Sequence, residues 1–317
     1  MIRYFLRLLA KAVGLVAVLA APVAVSAATY YLSLGDSLAF GLQPTDSNDQ
    51  GYADQLFRNY PQLKAQYSVD SLMKLGCPGE TTDTMINGGI CTYNDSNGLR
   101  VSQLKAAVDF LQKNKVALVT IDIGANELLG CQIGMSLDPN CIINTLAVIK
   151  TNLPDILREL HKVAPDVPIV GMNYYDPALA SWLEGKDGRV AAWESLLVIL
   201  PFNYELKRIY MAAGSPVADV EGAFLTTNMV TRVETPLGIL PTNVAKICAW
   251  TWMCTMSNIH PNDTGYGVIA KAFADVLGLT SEPHRVSRRL QPMRGWSYED
   301  IDELFPGSTR ACGSHGA

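Results

Sequence analysis

Serine, asparagine and histidine side chains occur at three widely separated points where apolar runs of the sequence end. Ser37 lies in the stretch GDS after a first run, Asn126 follows another, and His260 lies in a loop ahead of the last helical pattern. A serine hydroxyl becomes an effective nucleophile when a base within hydrogen-bond reach removes its proton. The oxyanion that forms from an attacked carbonyl needs preorganised donors, such as an asparagine amide. These residue types therefore predict acyl transfer through a serine.

The sequence contains four histidines, and their surroundings distinguish them. His161 falls within a helical pattern, whereas His284 and His315 fall in a polar C-terminal tail. His260 is in a loop beside the last helical pattern, so we take it as the base. The Gly-x-Ser-x-Gly elbow of the α/β-hydrolases does not occur in this sequence.

Apolar, β-rich runs alternate with helical patterns along the chain. The predicted strands cover residues 30–34, 67–75, 116–123, 167–174 and 216–220, and the predicted helices cover 51–59, 99–113, 143–163, 190–213 and 264–277. Several strands are apolar at consecutive positions, which is typical of strands buried on both faces. The alternation predicts an α/β fold, a three-layer α/β/α sandwich with a parallel, flavodoxin-like sheet. Reactive side chains gather at the carboxyl ends of such strands.

Four short segments lie at predicted strand ends or in the loop before the last helix. They are GDSL at 35–38, LGCPGETT at 75–82, IGANE at 123–127 and IHPND at 259–263. Together they resemble the SGNH hydrolases, also called the GDSL family of esterases and lipases. The resemblance runs from about residue 30 to 276, nearly the whole chain apart from its two ends.

The resemblance implies a role for one residue in each segment. Ser37 would be the nucleophile and His260 the general base. The main-chain N–H groups of Ser37 and Gly76 and the side-chain amide of Asn126 would form the oxyanion hole. The implied reaction is hydrolysis of a carboxylic ester through an acyl-serine intermediate. The substrate is then a small-molecule or lipid ester, and the reaction requires no cofactor or metal.

The sequence leaves open which residue orients the histidine. Many family members have an acidic residue three positions before the histidine, where this chain has Ser257, and the following Asn258 is also uncharged. Ser257 itself, Asp219, Asp263 and a main-chain carbonyl within 252–257 remain as alternatives. With a carbonyl in that role, serine and histidine form a dyad rather than a triad.

The first 27 residues have the features of a secretory signal peptide. Basic residues precede and enter an apolar run, which ends in small residues before Ala28. We expect cleavage after Ala27, with an uncleaved anchor as the alternative. The remainder divides into a hydrolase domain at 28–278 and a C-terminal extension at 279–317. After cleavage no stable membrane anchor is expected.

Seven cysteines agree with export, since disulfides persist in oxidising compartments. Proximity along the chain predicts the disulfides Cys77–Cys91, Cys131–Cys141 and Cys248–Cys254, with Cys312 left alone. A metal site is not indicated, because the sequence has neither Cys-x-x-Cys nor a pair of histidines at ligand spacing. Beyond residue 27 the chain has 22 basic and 30 acidic residues, a net charge of −8, which argues against a nucleic-acid partner.

Two other functions remain open at this stage. A deacetylase of acetylated glycans would use the same residues, and a secreted binding protein would retain the fold without turnover. Residues 182–210 are rich in large apolar side chains, among them Trp193 and Leu197. They form either a wall of an acyl pocket or a helix that simply covers the sheet.

Overall fold

The computed structural model of the chain describes residues 27–45, 47–133 and 136–279. The predicted signal peptide up to residue 26 lies outside the described residues, as does the extension from residue 280, with Cys312 and the two tail histidines. The division of the chain at these two points stays a prediction.

The strands are short and alternate with helices along the chain. They are β1 Thr29–Gly35, β2 Ser71–Lys74, β3 Tyr93–Asn94, β4 Arg100–Val101, β5 Lys115–Asp122, β6 Gln132–Ile133, β7 Ser136–Leu137, β8 Ile169–Met172, β9 Val217–Ala218, β10 Arg232–Thr235 and β11 Gly238–Pro241. Five of them form one parallel sheet in the order β2-β1-β5-β8-β9. This is the flavodoxin-like order, so the α/β class and the parallel sheet predicted from the sequence are confirmed.

Helices occupy most of the chain between these strands. They are α1 Ser37–Phe40, α2 Tyr52–Asn59, α3 Pro61–Tyr67, α4 Thr82–Asn87, α5 Gln103–Lys113, α6 Ala125–Leu129, α7 Pro139–Val163, α8 Gly185–Ala212, α9 Val220–Ala223, α10 Thr242–Trp250, α11 Met253–Met256 and α12 Asp263–Val276, with a 3-10 helix at Pro177–Glu184. None of the helices in the described part of the chain is long and apolar enough to cross a membrane.

The sheet is covered by helices on both faces. Strand β8 is buried at all its positions, and β1 and β5 are buried at nearly all of theirs. A strand with one solvated face would alternate between buried and exposed residues instead. Helices α2 and α12 pack on each other through Tyr52 and Phe273, whose stacked rings lie 4.8 Å apart between centroids.

Some boundaries differ from those predicted. The second strand begins at Ser71, because the residues before it form α3, which has proline in its first turn and ends at Ser68 in the left-handed region (φ 58°). Helix α5 begins later than predicted, because Arg100–Val101 pairs with β3 in a hairpin. Helix α8 begins earlier, at Gly185. The hairpins were not predicted, since strands of two to four residues are too short to leave a clear periodic pattern.

Disulfides join the cysteines that are neighbours along the chain. Cys77 pairs with Cys91, Cys131 with Cys141, and Cys248 with Cys254. The last of these connects α10 to α11, immediately before the loop that contains His260.

Candidate active site

Ser37 begins a short helix directly after the first strand. Helix α1 has four residues, and Asp36 caps it by accepting a hydrogen bond from the Leu38 N–H to Oδ1 (2.9 Å). The chain turns through Gly35 at φ +130°, where a Cβ would collide with the Asp122 carbonyl. A glycine is therefore required for the sharp turn that places Ser37 at the strand end.

Two buried carboxyl groups lie beneath this turn. Asp36 accepts a hydrogen bond from the Tyr174 hydroxyl (3.1 Å), and Asp122 accepts one from the Tyr52 hydroxyl (2.6 Å). The main-chain N–H of Asp36 also donates to Oδ2 of Asp122 (3.3 Å). Burial raises the pKa of both, and the charge of Asp36 raises the pKa of Asp122 further. Both carboxyl groups are therefore harder to ionise than carboxyl groups in water.

The imidazole of His260 lies within hydrogen-bond reach of Ser37. Its Nε2 is 2.9 Å from the Ser37 Oγ, although 223 residues separate the two in sequence. Burial lowers the pKa of His260 below its ordinary value of 6.5, because the imidazolium loses hydration. The ring is consequently neutral at neutral pH and can accept the serine proton.

Asn258 determines which ring nitrogen carries the proton. Its Oδ1 accepts the main-chain N–H of His260 (2.9 Å), and only the oxygen of the amide can do so. The same Oδ1 is 2.7 Å from Nδ1 of the ring, so Nδ1 must be the donor. The lone pair of Nε2 then faces Ser37, which is the tautomer that a general base needs.

The sequence left the orienting residue open, and in the structure the side chain that contacts Nδ1 is that of Asn258. Ser257 ends α11 in the left-handed region (φ 49°), and Asp219 accepts a hydrogen bond from Asn173 Nδ2 (2.9 Å). Asp263 is exposed at the first position of α12. The candidates taken from the sequence were the Ser257 hydroxyl, two aspartates and a main-chain carbonyl. In the structure the uncharged side-chain amide of Asn258 contacts the ring instead.

Asn126 approaches the same site from the end of β5. Its Nδ2 donates to the main-chain carbonyl of Glu80 (2.8 Å), which holds the amide and leaves its second hydrogen free. The main-chain N–H of Ser37 has no acceptor within the described ranges of the chain. Two donors are thus available to bind a developing oxyanion.

Gly76, which the resemblance assigned to the oxyanion hole, lies behind α1. A Cβ on Gly76 would collide with the main-chain nitrogen of Phe40 and would come within 2.7 Å of the Ala39 Cβ. It lines a second cavity, which also includes Lys74 and Asp54, rather than the one that includes Ser37. Gly76 therefore packs against the nucleophile helix, and its role in the oxyanion hole stays a prediction from the resemblance.

Gly79, three residues further on, precedes Glu80, whose carbonyl accepts the hydrogen bond from Asn126 Nδ2. Cys77 to Glu80 form a turn closed by a hydrogen bond from the Glu80 N–H to the Cys77 carbonyl (3.0 Å). Pro78 and Gly79 are its central residues, and the φ of +84° at Gly79 makes it a type II turn. The Gly79 N–H has no acceptor among the residues that the structure describes. The Pro-Gly pair was the sequence signal that could have identified this residue.

A cavity of about 770 Å³ opens beside the serine and the histidine. Ser37, Asn126 and His260 lie on its wall, and the rest is mainly apolar. The apolar contributors include Leu128, Leu129, Ile142, Ala178, Leu183, Leu197, Val198, Ile199, Phe202 and Met253. Helix α8 is thus part of the cavity wall, although Trp193 on the same helix is half exposed and does not line it. Within the described residues, no cluster of His, Cys, Asp or Glu could hold a metal ion.

A profile of the GDSL-like lipase/acylhydrolase family matches residues 33–268. The match covers most of the chain and includes Ser37, Asn126 and His260. The chain belongs to this family of ester hydrolases, and the resemblance carried by the four short segments is confirmed. A search of the curated proteins found no match to the chain.

Solved structures with a similar fold share little sequence with this chain. A protein from Parabacteroides merdae, described as a GDSL-like lipase, is 13% identical over 80% of this chain and 97% of its own, with a TM-score of 0.52. Phospholipase A1 from Streptomyces albidoflavus is 19% identical over 79% of this chain and 100% of its own, with a TM-score of 0.42. A family 3 carbohydrate esterase from Clostridium thermocellum is 16% identical over 78% and 94%, with a TM-score of 0.41. At these identities the P. merdae protein shows the fold alone.

Proposed function

We propose that the protein is a secreted serine esterase or lipase that hydrolyses carboxylic esters with an apolar acyl chain. The observation that carries the proposal is the 2.9 Å contact between Ser37 Oγ and His260 Nε2 on the wall of a largely apolar cavity. A neutral base beside a serine, with unused donors nearby, is what an acyl-serine mechanism requires.

In this mechanism the histidine acts first as a base and then as an acid. His260 Nε2 takes the Ser37 proton while Oγ attacks the ester carbonyl. The developing oxyanion is bound by the N–H of Ser37, the amide of Asn126 and the N–H of Gly79. The imidazolium, with Nδ1 held by Asn258, then gives its proton to the departing alkoxide. Water attacks the acyl-serine with His260 as base, which releases the acid and regenerates the serine.

The cavity supports a substrate with an acyl chain longer than acetyl. Each buried CH₂ group contributes about 0.8 kcal/mol, so kcat/KM should rise with chain length until the apolar walls are covered. An acetylated glycan would leave most of those walls without a partner. The deacetylase is therefore the less favoured alternative, and the test below includes it.

Export is supported by the three disulfides and by the predicted signal peptide. Expression in a secreting host followed by N-terminal sequencing of the exported protein tests this part of the proposal. We expect the sequence to begin at Ala28. A protein that keeps its N-terminal segment and stays with the membrane would contradict it.

Hydrolysis of nitrophenyl acetate, butyrate, octanoate and laurate by the purified exported protein tests the reaction. We expect turnover that increases from acetate to the longer chains and that is lost in Ser37→Ala and His260→Ala. Ser47→Ala and His161→Gln are matched controls, because both residues lie outside the cavity, and they should retain the wild-type rate.

Two results would overturn the proposal in different ways. Activity on acetylated xylan without activity on nitrophenyl esters would indicate the glycan deacetylase. A folded wild-type protein that neither turns over any ester nor reacts with a fluorophosphonate would indicate a non-catalytic binding protein.

A further inference from the structure

Gln43 connects the segment after the nucleophile to the loop that contains the base. Its Nε2 donates to the carbonyl of Pro261 (3.2 Å), and its Oε1 accepts from the indole Nε1 of Trp252 (2.9 Å). Trp252 belongs to the segment before His260, and Pro261 follows the histidine directly. The two segments pair at one β-bridge, between Thr251 and Pro261. Gln43 is 6% exposed, so both hydrogen bonds are shielded from water.

On the serine side, the segment that leads to Gln43 is attached to Ser37 itself. The main-chain N–H groups of Gly41 and Leu42 both donate to the Ser37 carbonyl (3.0 Å each). The Tyr266 hydroxyl from α12 donates to the carbonyl of Leu42 (3.0 Å). Leu42 precedes Gln43 directly and donates to the Ser37 carbonyl, so we expect a displacement of Gln43 to move the nucleophile as well.

On the histidine side, the loop is held at three consecutive carbonyls. The Tyr175 hydroxyl donates to the carbonyl of Ile259 (2.6 Å), and the Trp252 N–H donates to that of His260 (3.0 Å). Gln43 supplies the hydrogen bond to the third, at Pro261. Of the three donors, Gln43 is the one that comes from the segment following the serine.

We propose that Gln43 is a positioning residue that sets the distance between Ser37 and His260. The role rests on the proposed function, since that distance matters only if the pair is catalytic. A glutamine is suited to it because one group must accept from an indole N–H and donate to a proline carbonyl. Methionine has a similar length and offers neither a comparable acceptor nor a donor.

The effect should fall on turnover rather than on substrate binding. Neither Gln43 nor its two partners, Trp252 and Pro261, line the catalytic cavity. A displacement of about 1 Å between reacting groups can lower a rate by about 100-fold. Loss of the two hydrogen bonds should therefore lower kcat and leave KM nearly unchanged.

Steady-state kinetics on nitrophenyl butyrate with the full exported protein test this role. We expect Gln43→Met to lower kcat by about tenfold or more while KM stays within about twofold. Trp252→Phe removes only the indole donor, so its loss should be smaller. Because both changes act through one contact, the double variant should resemble Gln43→Met rather than multiply the two losses.

Asn243→Ala is the matched control for lost stability. Asn243 is also a buried amide that holds a main-chain carbonyl, that of Thr226 (2.8 Å), and it does not line the cavity. Thermal melting should show a comparable loss of stability in both variants, with kcat lowered in Gln43→Met alone. An unchanged kcat in Gln43→Met, or an equal loss of kcat in Asn243→Ala, would overturn the proposal.

If Gln43→Met does not fold, Trp252→Phe decides the question. Its removal of a single donor should still lower kcat without a change in KM, and a wild-type kcat would overturn the positioning role. Failure of the proposed function looks different, because then the wild-type protein itself turns over no ester.

Discussion

An asparagine, Asn258, holds the histidine that would act as the base. Its oxygen fixes the Nδ1–H tautomer as well as a carboxylate would, but it brings no negative charge to stabilise the imidazolium. Burial acts in the same direction and lowers the pKa of His260. The two features together favour the neutral base, so activity should persist at a pH below the ordinary pKa of an imidazole.

Replacement of Asn258 by aspartate should move the pH profile. A carboxylate at 2.7 Å from Nδ1 favours the charged ring, and an opposite charge so close raises a pKa by about one unit or more. Since the base must be neutral, kcat/KM is lost as the pH falls through this pKa. The acid limb should lie below pH 6.5 in the wild type and at higher pH in Asn258→Asp. Coincident profiles would contradict this account of Asn258.

Removal of the Asn126 amide should lower turnover much more than substrate affinity. Loss of one oxyanion donor lowers transition-state stabilisation by about 2.7 to 4 kcal/mol, or about 100- to 1000-fold in kcat. Asn126→Ala should show this with little change in KM. Asn152→Ala is the control, because that amide donates to Thr82 (3.2 Å) outside the cavity. A rate in Asn126→Ala equal to that of the control would exclude the assignment.

The residues of the proposed catalytic site were easier to predict from the sequence than the residues that support them. Ser37, Asn126 and His260 occur in short, ordered segments at strand ends, and the structure brings all three to one cavity. Gly76 and Gly79 lie in one segment, and the main-chain N–H of neither has an acceptor among the described residues. What distinguishes them is packing, because Gly76 lies against α1 whereas Gly79 precedes Glu80, the hydrogen-bond partner of Asn126. Asn258 was passed over because a sequence shows charge directly but does not show where an amide points.

At the scale of elements, the end of β2 supports the helix that contains the nucleophile. Gly76 lies so close to α1 that any side chain would displace Ala39 and Phe40. The N–H groups of Leu75 and Cys77 donate to β1, so the strand cannot move away without loss of those hydrogen bonds (2.8 and 3.0 Å).

Substitution of Gly76 by alanine should therefore lower both stability and turnover. Overpacking of this kind typically lowers the free energy of unfolding by about 1 to 3 kcal/mol. Urea denaturation and kcat would be measured on Gly76→Ala together with Gly267→Ala. In the control the new methyl group approaches only the flexible end of Gln55, at 2.9 Å. Wild-type stability and kcat in Gly76→Ala would show that α1 does not depend on this contact.

The strands of the central sheet were predictable because each is a run of apolar residues followed by a polar turn. The limits of the elements were less so. Residues 67–75 were predicted as one strand, yet α3 ends and β2 begins within this stretch, and the break is a left-handed Ser68 that hydrophobicity does not reveal. The hairpins have strands of only two to four residues, which is too short for the alternation of a strand to be recognised.

At the scale of the whole molecule, the disulfides should contribute unequally to stability. Each closes a short loop, with separations of 14 residues for Cys77–Cys91 and 6 for Cys248–Cys254. Loop-closure entropy gives about 3 kcal/mol for the longer loop and about 2 kcal/mol for the shorter. Urea unfolding of the two double cysteine-to-serine variants should show the larger loss for Cys77 and Cys91. A larger loss of stability for Cys248 and Cys254 would show that the loop-closure entropy of the unfolded chain does not determine which disulfide stabilises the protein more.

Ser37 and His260 are 223 positions apart in sequence, and this separation has a consequence for how activity arises during folding. The serine lies directly after β1 and the histidine just before α12, so no early fragment of the chain contains both. A chain that is still being exported, or one in which α12 has not yet packed, has the Ser37 hydroxyl without His260 beside it. Such a chain should not hydrolyse esters. Pairing over such a sequence distance is among the slower events of folding. Ester hydrolysis recovered during refolding would therefore follow the completion of the domain rather than the earlier formation of its helices.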